Sequence, residues 1–596
     1  MRLFCFLALL LSLNINARTI TGKVTDKDQQ GLPGVNVMIK NTKTGTQTDF
    51  DGNYIIEAEE GDILVFSFVG MKTEEVRVKD QKTINVSLKA DNAGLAEVVV
   101  TGYSPGIRIR GVSNFNATPV TANESYKEIE ENNFKLVKAS PLSTFSIDVD
   151  KAGYSNIRRM INNGIEIPKD AVKIEEMINY FDYDYSLPTG KHPFAINTEL
   201  VQTPWNKDTK LVKIGLQGKV IPLDDVPPSN LVFLIDVSGS MGASNKLPLL
   251  KSAFKLLTNQ LRKEDKISIV VYAGAAGLVL EPTPGDLKIK IEEALNNLNA
   301  GGSTAGGEGI KLAYKTATEN FIKGGNNRVI LATDGDFNVG QSSDSAMKDL
   351  IKEQRESGVF LTALGFGMGN YKDSKLETLA QTGNGNHAYI DSMQEAQRVL
   401  GTEFGGTIYT IAKDVKIQVE FNPDNVQAYR LIGYENRLLN DEDFNDDKKD
   451  AGELGSGHSV TALYEVIPPG VNSEFLKEID GYKYTRQVPT GNNSDELLTI
   501  KFRYKDPDGS KSKLLEKVVY TKDEGNPSED LNFISALALF GMNLRESEFT
   551  NGKSTALVKE LAEKGRGKDR EGYRAEFIRL IKSLENSSSQ SKLSEG

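Results

Sequence analysis

Asp236, Ser238 and Ser240 alternate along the loop Asp236-Val-Ser-Gly-Ser240, and each of them offers oxygen. A carboxylate and two hydroxyls without nitrogen or sulfur suit a hard divalent cation, Mg²⁺ first and Mn²⁺ or Ca²⁺ after it. The residues just before them, Leu231-Val-Phe-Leu-Ile235, are all apolar and read as a strand covered on both faces, the kind found in a parallel sheet. In open α/β sheets, ligands sit just past the carboxyl ends of such strands. The oxygens therefore emerge where a site is expected.

Two more pieces lie downstream. The loop Gly301-Gly-Ser-Thr304-Ala-Gly-Gly307 precedes a helical stretch, and Arg328-Val-Ile-Leu-Ala-Thr-Asp334 is a second apolar strand ending in a carboxylate. Here the chain resembles the von Willebrand factor A domain and its metal-ion-dependent adhesion site. The resemblance implies a divalent ion surrounded by Asp236, Ser238, Ser240, Thr304 and Asp334, with the three hydroxyls in direct contact and one or both Asp acting through water. It also implies an electrophilic ion that accepts an Asp or Glu from a partner protein, at about 2.0–2.1 Å for Mg²⁺. One such bond cannot make a specific complex, so a surrounding interface of roughly 1,200–2,000 Å² is expected.

The bulk properties bound the rest. At 596 residues the chain is too long for one domain, and its 39% hydrophobic and 26% charged residues are those of an ordinary globular protein. A net charge of −11 argues against nucleic acid or an anionic membrane as the main partner. Met1-Arg2, an apolar stretch over 3–13 and then Asn14-Ile-Asn-Ala17 read as a secretory signal peptide ending at Ala17, with an uncleaved N-terminal anchor as the alternative. Cys5, the sole cysteine, falls inside it, so the mature chain is expected to hold neither disulfide nor thiolate site. No later run approaches the roughly 20 apolar residues of a membrane-spanning helix. Export is expected, to the periplasm, the outer-membrane periphery or the surface of a Gram-negative bacterium.

The elements that must position these residues follow from periodicity. Short strand-like stretches at 19–24, 35–40, 54–57, 63–68 and 84–88, with a tight turn at Asp51-Gly52, predict a small β-sandwich. It resembles the carboxypeptidase regulatory-like module that precedes outer-membrane receptor barrels, in Thr21-Gly-Lys-Val24, Gly31-Leu-Pro-Gly-Val35 and Asp51-Gly-Asn-Tyr54. Glu97-Val-Val-Val-Thr-Gly-Tyr103 is similar to the energy-coupling box of those receptors, but no barrel follows, and a spacer or envelope-docking role is expected instead.

Helix-like spacing at 151–163 and 171–181 precedes alternating strands at 194–201 and 211–216. Strands at 266–272, 328–333 and 360–365 then alternate with helical patterns at 246–261, 289–298, 309–321 and 345–356, the signature of a mainly parallel sheet with helices on both faces. Period two returns at 415–421, 460–466, 498–504 and 517–520, and helices at 531–544, 555–564 and 573–584 close the chain. Strands on both flanks suggest an A domain inserted into a β-sandwich. From about 133 to 584 the chain resembles a family of exported bacterial A-domain proteins, in Pro141-Leu-Ser-Thr-Phe-Ser-Ile-Asp-Val-Asp150 and Gly457-His-Ser-Val-Thr-Ala-Leu-Tyr-Glu465 among other segments.

The predicted fold is thus multidomain: an N-terminal β-sandwich, a central doubly wound α/β A domain, and a flanking β-rich α+β region with C-terminal helices. The boundaries are a signal peptide over 1–17, the first sandwich over 18–90, a linker over 91–130 and an N-terminal extension over 131–228. The A domain takes 229–410, a C-terminal α+β domain 411–585, and a disordered Ser-rich tail 586–596. Catalysis finds little support: His192, His387 and His458 lie far apart, and no zinc-protease, serine-hydrolase or nucleotide-phosphate motif is present. The acidic stretch Asp441-Glu-Asp-Phe-Asn-Asp-Asp447 lacks calcium-loop spacing and reads as solvated, with a plug for the metal site as an alternative. The expected function is non-enzymatic capture of a partner carboxylate. A cell-envelope structural or assembly factor, with the metal fixing an internal contact, stands as the alternative, and a metal-dependent hydrolase as a third.

Overall fold

The structure, a computed structural model, describes residues 18–89 and 124–594, apart from 26–28, 30, 33–34, 41, 43–44, 49–51, 69–70, 148–149, 223–224, 303–305, 336–343, 369–370, 404–408, 450, 477–494, 508 and 551. The predicted signal peptide, Cys5, the coupling-box-like segment and most of the linker fall outside the described residues. Two compact units emerge, 1–116 and 117–596.

In the first unit, β1 (Arg18–Thr25), β2 (Asn36–Ile39), β3 (Gly45–Gln47), β4 (Asn53–Ala58), β5 (Ile63–Ser67), β6 (Glu74–Arg77) and β7 (Val86–Ser87) form two sheets, ordered β4-β1-β7 and β3-β2-β5-β6. Alternate residues point inward, so Ile20, Val24, Tyr54 and Ile56 of one sheet bury against Val37, Ile39, Leu64 and Phe66 of the other. Gly52 of the predicted turn takes φ +81°, a conformation open to glycine at little cost.

The second unit begins with β8 (Lys135–Leu136), β9 (Leu142–Ser146), α1 (Ala152–Asn162), α2 (Ile174–Asn179), β10 (Phe194–Gln202) and β11 (Lys210–Gly218). The A domain follows with β12 (Ser229–Asp236), α3 (Leu247–Gln260), β13 (Lys266–Tyr272), β14 (Ala276–Pro284), α4 (Lys288–Asn296), α5 (Gly306–Glu319), β15 (Asn326–Thr333), α6 (Asp344–Glu356), β16 (Val359–Phe366), α7 (Asp373–Thr382), β17 (His387–Ile390) and α8 (Met393–Ala396). Its sheet runs β14-β13-β12-β15-β16-β17, parallel throughout except for the edge strand β14. Strand β12 is buried on both faces. Leu231, Phe233 and Ile235 face the layer of α3 and α4, while Val232 and Leu234 face that of α5, α6 and α7.

After the A domain come β18 (Thr410–Phe421), β19 (Ala428–Ile432), β20 (Gly452–Gly455), β21 (Ser459–Ile467), β22 (Glu496–Lys505) and β23 (Ser512–Tyr520), then α9 (Glu529–Arg545), α10 (Thr555–Lys564) and α11 (Tyr573–Ser594). Strands from before and after the A domain share sheets: β11 pairs with β21 from Lys210↔Val466 to Gln217↔Ser459, and β9 pairs with β18. The two sheets, β10-β11-β21-β19-β8 and β20-β18-β22-β23, enclose an apolar layer that includes Ile214, Leu216, Ile417, Val419, Tyr464 and Phe502. The A domain is therefore an insertion in this sandwich. The sole Trp, Trp205, buries where α2 and the C-terminal helices cover the outer face.

One expectation is overturned. The tail predicted to be disordered from 586 is helical to Ser594 as the end of α11. No Gly or Pro interrupts 573–594, and a helix already nucleated on packed turns extends at one hydrogen bond per added residue.

Candidate metal centre

Strands β12 and β15 are neighbours in register, with Ile235 opposite Ala332. Their apolar runs therefore end side by side, and Asp236 and Asp334 follow at the same end of the sheet. Both carboxylates are buried, at 0% and 1% exposure, as is Ser238. Three donors fix the Asp236 carboxylate: the Ser238 amide at 2.9 Å, the Thr333 hydroxyl at 3.1 Å and the Tyr272 hydroxyl at 3.3 Å. Burial raises its pKa above the usual carboxylate range, and the charge of Asp334 adds to the rise against the hydrogen bonds. A nearby cation would act in the opposite sense and favour the ionised form.

The Ser238 and Ser240 hydroxyl oxygens lie 3.0 Å apart, and Ser240 is exposed. An octahedron with bonds of about 2.0–2.1 Å has edges of about 2.9 Å, so this spacing suits two neighbouring ligands of Mg²⁺. The second predicted loop is tied to the first: Gly239 N donates to Gly302 O at 3.0 Å, and Gly301 N to Val237 O at 2.7 Å. Gly302 makes that approach with φ +86°. Thr304 itself lies outside the described residues, while Asp236, Ser238, Ser240 and Asp334 are brought to one end of the sheet. Helix α5 begins at Gly306, within the predicted loop. A Cβ at Gly309 would stand 2.8 Å from Tyr272 Cβ, so glycine lets the helix press onto the strand whose phenol holds Asp236.

Sequence reasoning missed three residues here. Tyr272 and Thr333 reach Asp236 from β13 and β15, across strand neighbours that spacing does not reveal. Lys246 reaches Asp334, with Nζ 2.8 Å from Oδ2. One signal for it was legible, since a lysine at a helix start opposes the helix dipole.

Elsewhere, Asp150, Glu176 and Glu377 form a buried group of carboxylates whose oxygens lie within 4.8 Å of one another. Lys173 lies 3.1 Å from Glu176, 2.7 Å from Asp373 and 2.9 Å from Glu377, and Arg437 pairs with Asp150 at 3.1 Å and Glu377 at 2.9 Å. With these two cations among them, the carboxylates make an internal joint between the A domain and its flanks. The acidic stretch after Asn440 lies along β18: Asp441 accepts from Thr144 at 3.0 Å, Asp447 pairs with Arg503 at 3.0 Å, and Lys416 donates to the Asp443 carbonyl at 3.0 Å. The Asp441 and Asp447 carboxylates thus meet groups of the sandwich, while Asp443 and Asp446 bond within the stretch, most of which is exposed. The histidines stay apart, His192 on Tyr504, His387 on Tyr371, and His458 half-buried before β21.

Comparison with known proteins assigns this architecture. A family model described as von Willebrand factor type A domain matches 230–401, and one described as von Willebrand factor matches 120–213. The model for the C-terminal part of the uncharacterized protein YfbK matches 406–586, and a CarboxypepD_reg-like domain matches 20–100. The chain is 44% identical over 474 residues to the uncharacterized protein YfbK of Escherichia coli, across 78% of this chain and 81% of that one. The chain belongs to the YfbK family. Its N-terminal region is also 50% identical over 95 residues to the TonB-dependent receptor SusC of Bacteroides thetaiotaomicron, covering 16% of this chain and 9% of the receptor. Among solved structures, a von Willebrand factor type A protein from Catenulispora acidiphila matches 65% of this chain and 89% of its own at 14% identity and a TM-score of 0.37. Among the described residues no helix is long and apolar enough to cross a membrane.

Proposed function

We propose that this YfbK-family chain is an exported, non-enzymatic protein-binding module in which Asp236, Ser238, Ser240, Thr304 and Asp334 hold a divalent cation, Mg²⁺ before Mn²⁺ or Ca²⁺. When bound, the cation supplies an open coordination position for an Asp or Glu of a partner protein. The carrying observation is the pair of hydroxyls 3.0 Å apart at the mouth of two buried carboxylates on adjacent strands. Asp236 is held rigid by its three donors and acts as a fixed charge. Ser240, exposed where Ser238 is buried, marks the side from which a ligand approaches. The A-domain match supports an interaction module, and the receptor-like N-terminal region supports an envelope location.

The test is retention of envelope proteins on the immobilised chain in Mg²⁺. Retained proteins should elute with EDTA and should be absent with the Asp236→Ala, Ser238→Ala double variant. Retention that survives both treatments would overturn metal-dependent capture and favour a structural role in the envelope.

A further inference from the structure

Lys246 stands against the electrostatics of its own helix. It caps the N-terminus of α3, where unpaired amides carry partial positive charge and a cation is disfavoured. The fold nonetheless builds a path for it. Its side chain is 10% exposed, and its Nζ lies 2.8 Å from the Asp334 carboxylate, whose side chain is wholly buried. Gly367, at φ +78°, lines that path: a Cβ there would stand 2.5 Å from Lys246 Cγ and 2.9 Å from Cδ. The buried Tyr389 hydroxyl donates to the Gly367 carbonyl and pins the lining in place. A flexible surface lysine would need neither feature.

We propose that Lys246 is a built-in countercharge of the metal centre, which holds its affinity for a divalent cation low until a carboxylate ligand joins, and so couples the two binding events. The inference rests on the proposed metal centre. Asp236 and Asp334 bring two negative charges and Lys246 one positive charge, so a divalent cation leaves the cluster with one excess positive charge. A partner carboxylate then cancels it. Without Lys246, the cation alone neutralises the two carboxylates, and an incoming carboxylate meets no excess positive charge. In a largely buried site such differences are screened far less than in water. Cation and carboxylate each strengthen the other by the same factor, and Lys246 sets the size of that factor.

The experiment titrates Mn²⁺ alone into the metal-free full chain, native and Lys246→Met, each with and without acetate as the carboxylate probe. Without acetate, Lys246→Met should bind Mn²⁺ at least roughly tenfold more tightly than the native chain. Acetate should raise the affinity of the native chain by the larger factor, and Lys246→Arg, which keeps the charge, should behave as native. Equal or weaker Mn²⁺ binding by Lys246→Met, or an equal acetate effect on both chains, would overturn the countercharge and leave the metal centre standing. Absence of Mn²⁺ binding in both chains at millimolar concentration would remove the metal centre and the inference together. Should Lys246→Met fail to fold by near-ultraviolet circular dichroism, Lys246→Gln takes its place in the same comparison.

Discussion

Asp236 illustrates what burial asks of a single carboxylate. Desolvation disfavours its charge, and the fold answers with hydrogen bonds from Ser238, Thr333 and Tyr272. Removing the Thr333 hydroxyl loosens the carboxylate without touching the Ser238 and Ser240 hydroxyls. Thr333→Val should therefore weaken Mn²⁺ binding by about 10–100-fold, as is usual for groups that orient a ligand. An unchanged titration would show that Thr333 serves packing alone. At this scale the sequence was legible where chemistry is contiguous, because Asp236, Ser238 and Ser240 share one loop after an apolar run. It was opaque where strand adjacency makes the contact. Tyr272 and Thr333 are ordinary strand residues until β13 and β15 are placed on either side of β12.

Elements with strong periodicity were readable to within a residue or two, as with β13, β22 and α10. Strands β14 and β17 escaped because each is an edge of the sheet: β14 carries prolines that suit an unpaired edge, and β17 has only four residues. Edge position matters at β17, where the flanking extension docks. Ser155 of α1 donates to the Tyr389 carbonyl at 2.9 Å, and Asp150 accepts from the His387 amide at 2.7 Å. Just behind, Lys173 serves Glu176, Asp373 and Glu377 in full burial. Buried ion pairs add little net stability, yet deleting one partner strands the others. Lys173→Met should destabilise the chain by about 3–5 kcal/mol in urea unfolding. A loss below about 1 kcal/mol would mean that the carboxylates simply take up protons.

Across the whole molecule, both flanks of the A domain were expected to build one sandwich, and the pairing of β11 with β21 and of β9 with β18 does so. The three-residue joint of Asp150, Glu377 and Arg437 was not foreseeable, since Arg437 stands 287 positions from Asp150 and 60 from Glu377, and only the insertion brings them together. Burial also sets the acid sensitivity. It pushes His387 and His458 down to about 4, whereas unfolded imidazoles protonate near about 6.5. Between those values the unfolded chain binds more protons, so this contribution is complete above about 6.5 and is lost as the pH falls toward 4. Glu176, raised to about 7 by burial, opposes this between 7 and its ordinary value, and Glu175, Glu395, Glu571 and Asp236, also raised by burial, act in the same direction above theirs. Against burial, Arg398 and Lys151 hold Glu403 down to about 2, which extends the loss below the ordinary carboxylate range. The thermal midpoint of the native chain, taken relative to that of His458→Gln, should fall as pH drops from about 6.5 to about 4. A midpoint difference that stays constant or grows over this window would contradict a depressed His458 imidazole.

The central claim is that the ends of β12 and β15 hold a divalent cation. Isothermal titration of Mg²⁺, Mn²⁺ and Ca²⁺ into the metal-free chain, with acetate present to complete the coordination, tests it most directly. Saturable binding by the native chain, lost in the Asp236→Ala, Ser238→Ala variant, is the predicted result. Heat that is absent from the native chain, or identical in the variant, would contradict it.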